Sequence, residues 1–69
     1  MKLGNRLRVA RAEQRLSQAE LAGMAGVTRQ TISAIENGQY GPSALLAFVL
    51  AQRLGKEVTE LFYLEDEES

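Results

Sequence analysis

Cysteine and histidine are both absent from this 69-residue chain. Their absence excludes disulfides, thiolate nucleophiles, His-ligated zinc and imidazole acid–base catalysis. A chain without cysteine suits a reducing compartment, so a cytoplasmic location is expected. No run of about 18 apolar residues occurs, so no membrane-spanning helix and no membrane partner are expected. No apolar stretch follows the N-terminal charges Lys2, Arg6, Arg8 and Arg11, so no signal peptide is expected either. The chemistry left for catalysis is a set of isolated carboxylates, with no metal-ligand cluster and no glycine-rich phosphate loop. So short a chain also leaves little room for a pocket of about 300 Å³. We therefore expect no enzyme activity, no cofactor and no small-molecule ligand.

β-branched residues are scarce. Val and Ile number six, against nineteen Ala and Leu, a balance that favours helix. Charge is nearly even overall, at −1, but unevenly placed: four of the nine acids fall in the last five residues, Glu65–Ser69. Without them eight bases face five acids, a net of +3. Within Met1–Arg29 six bases face Glu13 and Glu20, a net of +4. A basic half and an acidic tail suit either a solvated surface or a phosphate-facing one, and charge alone favours the first. The expected division is a domain over residues 1–64 and an acidic tail over 65–69.

Punctuation along the chain predicts five short helices. Asn5 is a fitting N-cap for the first, which ends around Gln14–Leu16. Ser17-Gln18-Ala19-Glu20 is a capping box and opens the second. Gly26 suits the left-handed residue that ends it. Thr28 caps the third, which stops at Asn37-Gly38. Ser43 caps the fourth after Gly41-Pro42, and Gly55 closes it. Val58–Phe62 reads as a fifth helix of about one and a half turns. The predicted fold is all-α and compact, with very short connections.

Helices two and three form a unit over residues 18–37 that meets the needs of two helices crossing steeply at a short turn. Ala22 is small where the helices cross, Gly26 makes the turn, and Leu21, Val27, Ile32 and Ile35 fill the inner angle. Arg29, Gln30, Thr31 and Ser33, all polar, are left for the outer face. Leu16-Ser-Gln-Ala-Glu-Leu-Ala, followed by Gly26-Val-Thr-Arg-Gln-Thr-Ile-Ser-Ala-Ile-Glu-Asn-Gly38, resembles the helix-turn-helix of the phage-repressor and Cro-like family, often called the Xre family. The resemblance runs from about Arg6 to Phe62 and is strongest to short single-domain members that end soon after a segment like Glu60-Leu61-Phe62. It implies a homodimeric transcriptional repressor that binds a palindromic operator in double-stranded DNA.

The chemistry of the motif agrees. The third helix would enter the major groove by its N-terminal turn. Arg29 suits the O6/N7 edge of guanine, Gln30 the N6/N7 edge of adenine, and Thr31 and Ser33 a base or a phosphate. Gln18, at a helix N-terminus, suits a phosphate. Thr28 is a cap first and a phosphate contact second. By resemblance Asn37, Gln39 and Tyr40 contact the flanking backbone, although Asn37 equally suits a C-cap and Tyr40 equally suits packing before Pro42. The resemblance also implies a partly buried ion pair, Arg11 with Glu36.

The fourth helix departs from the family. Leu46, Ala47, Leu50, Ala51 and Leu54 form the expected core stripe, but Leu45 and Val49 lie opposite with Phe48 between. The family usually carries polar residues at the positions of Leu45 and Val49. A helix apolar nearly all round is buried all round, so a second subunit is expected over Leu45, Phe48, Val49, Phe62, Tyr63 and Leu64. By resemblance, Met1–Leu3 and Tyr63–Glu65 pair as a small antiparallel sheet. The alternative reading is a DNA-binding antitoxin or interaction module that uses the fourth helix to meet a different protein. Gly23, inside the second helix, has no functional explanation.

Overall fold

Three serine or threonine hydroxyls set the starts of the central helices. In the computed structural model, which describes residues 1–66, α2 (Gln18–Ala25), α3 (Arg29–Glu36) and α4 (Ala44–Leu54) begin after Ser17, Thr28 and Ser43. Each hydroxyl accepts a backbone N–H from three residues on, at 3.0, 3.2 and 3.1 Å, satisfying a donor that the helix cannot. The Ser17 box is complete, because the Glu20 carboxylate accepts the Ser17 N–H at 2.8 Å. Those contacts with the Ser17 backbone and hydroxyl hold the Glu20 carboxyl below its ordinary value.

The first four helices, counting α1 (Leu7–Glu13), end alike. A left-handed residue follows each, and the next N–H bonds back to a carbonyl five residues earlier: Leu16 to Arg11, Val27 to Ala22, Gln39 to Ala34, Lys56 to Ala51. The left-handed residue is glycine at positions 26, 38 and 55, but Arg15 at the end of α1 (φ 58°). A side chain there meets a steric penalty that glycine escapes.

The expected sheet is present and longer than anticipated. β1 (Lys2–Asn5) and β2 (Phe62–Glu65) pair antiparallel, with Leu3 opposite Leu64 and Asn5 opposite Phe62. Three expectations change with it. Asn5 belongs to β1, and Arg6 is the residue before α1, although the Asn5 Oδ1 still accepts the Leu7 N–H at 3.1 Å. The short α5 (Val58–Leu61) stops one residue early, because Phe62 enters the sheet. Glu65, assigned to the tail, is the last residue of β2 and pairs with Lys2; residues 67–69 of that tail lie outside the described residues.

The core is built from Leu7, Ala10, Leu21, Ala22, Ile32, Ile35, Leu50, Ala51, Leu54, Leu61 and Phe62. Phe62 was expected on the subunit interface, yet it is only 8 % exposed and seals the chain's own core. It lies opposite Asn5 at the start of β2, directly after the buried Leu61. Leu45 and Phe48, on the far side of α4, remain 76 % and 63 % exposed. Among the described residues no helix is long and apolar enough to cross a membrane.

Candidate nucleic-acid interface

α3 divides sharply by face. Ile32 and Ile35 are buried against α2 and the core, while Arg29 and Gln30 are exposed and Thr31 and Ser33 half-buried. None of the four residues expected to read bases is buried: Gln30 and Ser33 lie away from the two isoleucines, and Arg29 and Thr31 flank them. Thr28 serves as the cap, its Oγ1 also 3.1 Å from that of Thr31. Asn37 closes the helix, and Gln39 and Tyr40 are exposed just beyond it. Tyr40 also lines two grooves, one with Leu3, Pro42 and Phe62, the other with Val27, Leu45 and Val49. The second groove is about 330 Å³, larger than so short a chain was expected to provide, but no carboxylate or amine lines it.

One buried carboxylate fastens the motif to α1. Glu36, its side chain 0 % exposed, accepts Arg11 Nε at 2.7 Å and Arg11 Nη2 at 3.3 Å. Arg11 is itself only 16 % exposed, and its Nη1 donates to the Leu16 carbonyl at 2.8 Å. The expected ion pair is thus present, and bidentate, the geometry in which Arg and carboxylate bind best. Two more donors reach the same carboxylate: Gln18 Nε2 at 3.0 Å and Arg8 Nε at 3.4 Å. Burial pushes the Glu36 carboxyl up, but the hydrogen bonds from Arg11, Gln18 and Arg8, with the Arg11 charge, outweigh it and leave the group below its ordinary value.

Two residues of this surface escaped the reading of the sequence. Arg8 joins Glu36 and donates to Asn37 Oδ1 at 3.4 Å, placing another cation beside the end of α3. Arg6 lies over the Tyr63 ring, 4.4 Å from its centroid, a cation–π contact. That ring fits only because residue 4 is glycine: a Cβ there would stand 2.6 Å from Tyr63 Cζ and 2.9 Å from Glu65 Cδ. Tyr63, expected at the subunit interface, is therefore half-buried within its own chain, while Leu64 stays 68 % exposed. Among the described residues no cluster of His, Cys, Asp or Glu could hold a metal ion.

Comparison with known proteins agrees with this geometry. The helix-turn-helix family pattern matches residues 7–61. The chain is 47 % identical over 64 residues to an uncharacterised HTH-type transcriptional regulator of Methanocaldococcus jannaschii, covering 93 % of this chain and 97 % of that one. It is 33 % identical over 61 residues to the immunity repressor protein of Bacillus phage phi105, covering 88 % of this chain and 42 % of the repressor. Among solved structures, the restriction-modification controller protein C.AhdI from Aeromonas hydrophila superposes with a TM-score of 0.76 at 36 % identity over 80 % of each chain. These similarities speak for a regulator and against an enzyme. The chain belongs to the helix-turn-helix family of DNA-binding transcriptional regulators, of the phage-repressor and Cro-like type.

Proposed function

We propose that the protein is a homodimeric repressor that reads a palindromic operator through the major groove. The observation that carries this reading is the division of α3, with Ile32 and Ile35 sealed inside, Arg29 and Gln30 exposed, and Thr31 and Ser33 half-exposed. An α-helix fits the major groove, where each base pair displays a distinguishable pattern of donors and acceptors. Arg29 contacts guanine, Gln30 contacts adenine, and Thr31 and Ser33 contact neighbouring bases or phosphates. Gln18, Thr28, Asn37, Gln39 and Tyr40 contact the sugar-phosphate backbone and set register. Gln18 can do so while bound to Glu36, because an amide nitrogen carries two hydrogens and Glu36 takes one.

The dimer rests on α4. Leu45 and Phe48 expose large apolar side chains next to the half-buried Val49. Clustered apolar surface on so small a domain is worth covering, and a symmetric pair covers it on both copies. Two copies of α3 would then stand about 34–36 Å apart, one turn of DNA. Likeness to a phage immunity repressor supports a repressing role. The same apolar face fits a different protein partner, as in an antitoxin, and light scattering separates the two: a stable dimer of the pure protein supports the homodimer, and a monomer favours the heterologous partner. Selection of bound duplexes from random DNA tests the operator. Recovery of an inverted repeat supports the reading, and a single unrepeated site or no enrichment refutes it.

A further inference from the structure

The residue that closes α1 does more than end a helix: we infer that Arg15 is a further contact to the DNA backbone, kept in place at a cost in stability. The inference rests on the DNA-binding surface proposed above. Two independent features single Arg15 out. Among the described residues it is the one non-glycine residue with a left-handed backbone, at φ 58°, where the ends of α2, α3 and α4 use Gly26, Gly38 and Gly55. Among the described residues it is also the one Lys or Arg whose side chain has no partner. Four of the eight enter ion pairs with Glu13, Glu36 or Glu65. Arg6 covers the Tyr63 ring, and Arg29 and Arg53 donate to Gln18 Oε1 at 3.4 Å and to the Met24 carbonyl at 3.0 Å. Arg15 is exposed and has none of these contacts.

Glycine would close α1 with less strain, because a Cβ meets a steric penalty in the left-handed conformation. A solvated arginine adds no packing that offsets this penalty. A backbone outlier of this kind points to function rather than to folding, and its position says which function. Arg15 stands three residues before Gln18, the proposed phosphate contact at the start of α2. The backbone beside it is fastened to the motif. The Leu16 carbonyl accepts Arg11 Nη1 at 2.8 Å, and Arg11 and Gln18 both donate to Glu36. The acids nearest in sequence are already engaged, Glu13 with Lys56 and Glu20 with the Ser17 N–H. The charge of Arg15 is therefore left for a partner outside the chain. Its guanidinium is always ionised and suits phosphate oxygens two at a time.

Three variants separate charge from strain. Arg15→Gly removes both, Arg15→Ala removes the charge alone, and Arg15→Lys keeps both. Urea melts report stability, and affinity is measured over a salt series for a selected duplex and for random DNA. In Arg15→Gly the urea midpoint should rise by roughly 0.5–1 M. Its DNA affinity should nevertheless fall, by about five- to tenfold per bound copy at about 0.1 M salt, and equally on both duplexes. The slope of log K against log salt should become shallower by about one per copy. Arg15→Ala should lose the same affinity without the gain in midpoint, and Arg15→Lys should keep the wild-type slope. An unchanged slope in Arg15→Gly and Arg15→Ala, on DNA that the wild type binds, overturns the inference and leaves Arg15 as a solvated cation or one that meets an acidic protein. A loss confined to one base pair overturns the backbone role, and a lower midpoint in Arg15→Gly overturns the cost in stability. Wild-type protein that binds no duplex at all overturns the DNA-binding reading, and the inference with it.

Discussion

Replacing Arg11 by alanine should come close to unfolding the protein. The substitution removes two hydrogen bonds to Glu36, at 2.7 and 3.3 Å, and a third to the Leu16 carbonyl at 2.8 Å. It deprives of its main partner a carboxylate whose side chain has no solvent contact in the wild type. Stranding a buried charge typically costs about 3–5 kcal/mol. Gln18 and Arg8 still donate to Glu36, which argues for the lower part of that range. A chain of this length has roughly 3–10 kcal/mol to lose. With a urea slope of about 1 kcal/mol per molar for so small a domain, the midpoint should fall by about 3 M. The pH dependence then identifies the cause. In the wild type the folded Glu36 carboxyl sits below its ordinary 4.5, so its stabilisation is complete above that value and is lost as pH falls through the depressed one. In Arg11→Ala burial loses its main counterweight, and the folded value rises. Acid then relieves the variant while it weakens the wild type, so the gap between their midpoints should narrow as pH drops below 4.5. A midpoint shift within error at neutral pH, or a gap that stays constant down to pH 3, would refute the account of this ion pair.

Further outcomes follow from other positions. Gly23→Ala should stabilise by about 0.5–1 kcal/mol in the same melts, because a Cβ there meets nothing within 4 Å; destabilisation would mean that α2 needs this glycine's freedom. Gly4→Val should destabilise by about 1–3 kcal/mol as the side chain collides with Tyr63 and Glu65 and parts the two strands, with an unchanged melting midpoint as the contrary result. If each copy neutralises about four phosphates, log K for operator DNA should fall against log salt with a slope near −7, and a slope near −2 would exclude so broad a backbone contact.

What could be read from the residues alone was whatever depends on near neighbours. Ser17, Thr28 and Ser43 cap helices through bonds to N–H groups three residues away, and Gly26, Gly38 and Gly55 end them, so both signals sit in local sequence. Arg15 adopts the left-handed conformation without the glycine that normally signals it. Asn5 and Phe62 were misplaced for a different reason. Asn5 suits a cap and Phe62 a last helical residue by local context, and their pairing across the sheet moves both into strands. The Arg11–Glu36 pair was legible through family resemblance, but the further arms to Gln18 and Arg8 depend on the packing of three helices, which no short-range pattern records. Likewise the outer face of α3 could be named from its period, whereas the tie between Arg29 and Gln18 could not. Tyr63 turned out half-buried because Gly4 makes room and Arg6 covers it, a contact between the two ends of the domain.

The central claim, that the exposed turn of α3 reads bases, is tested most directly by comparing Gln30→Ala with wild type on a selected operator and on random DNA. A loss of about 1–3 kcal/mol confined to the operator, with relaxed preference at a single base pair, is the predicted result. Equal weakening on both duplexes would contradict it and reduce α3 to a backbone contact.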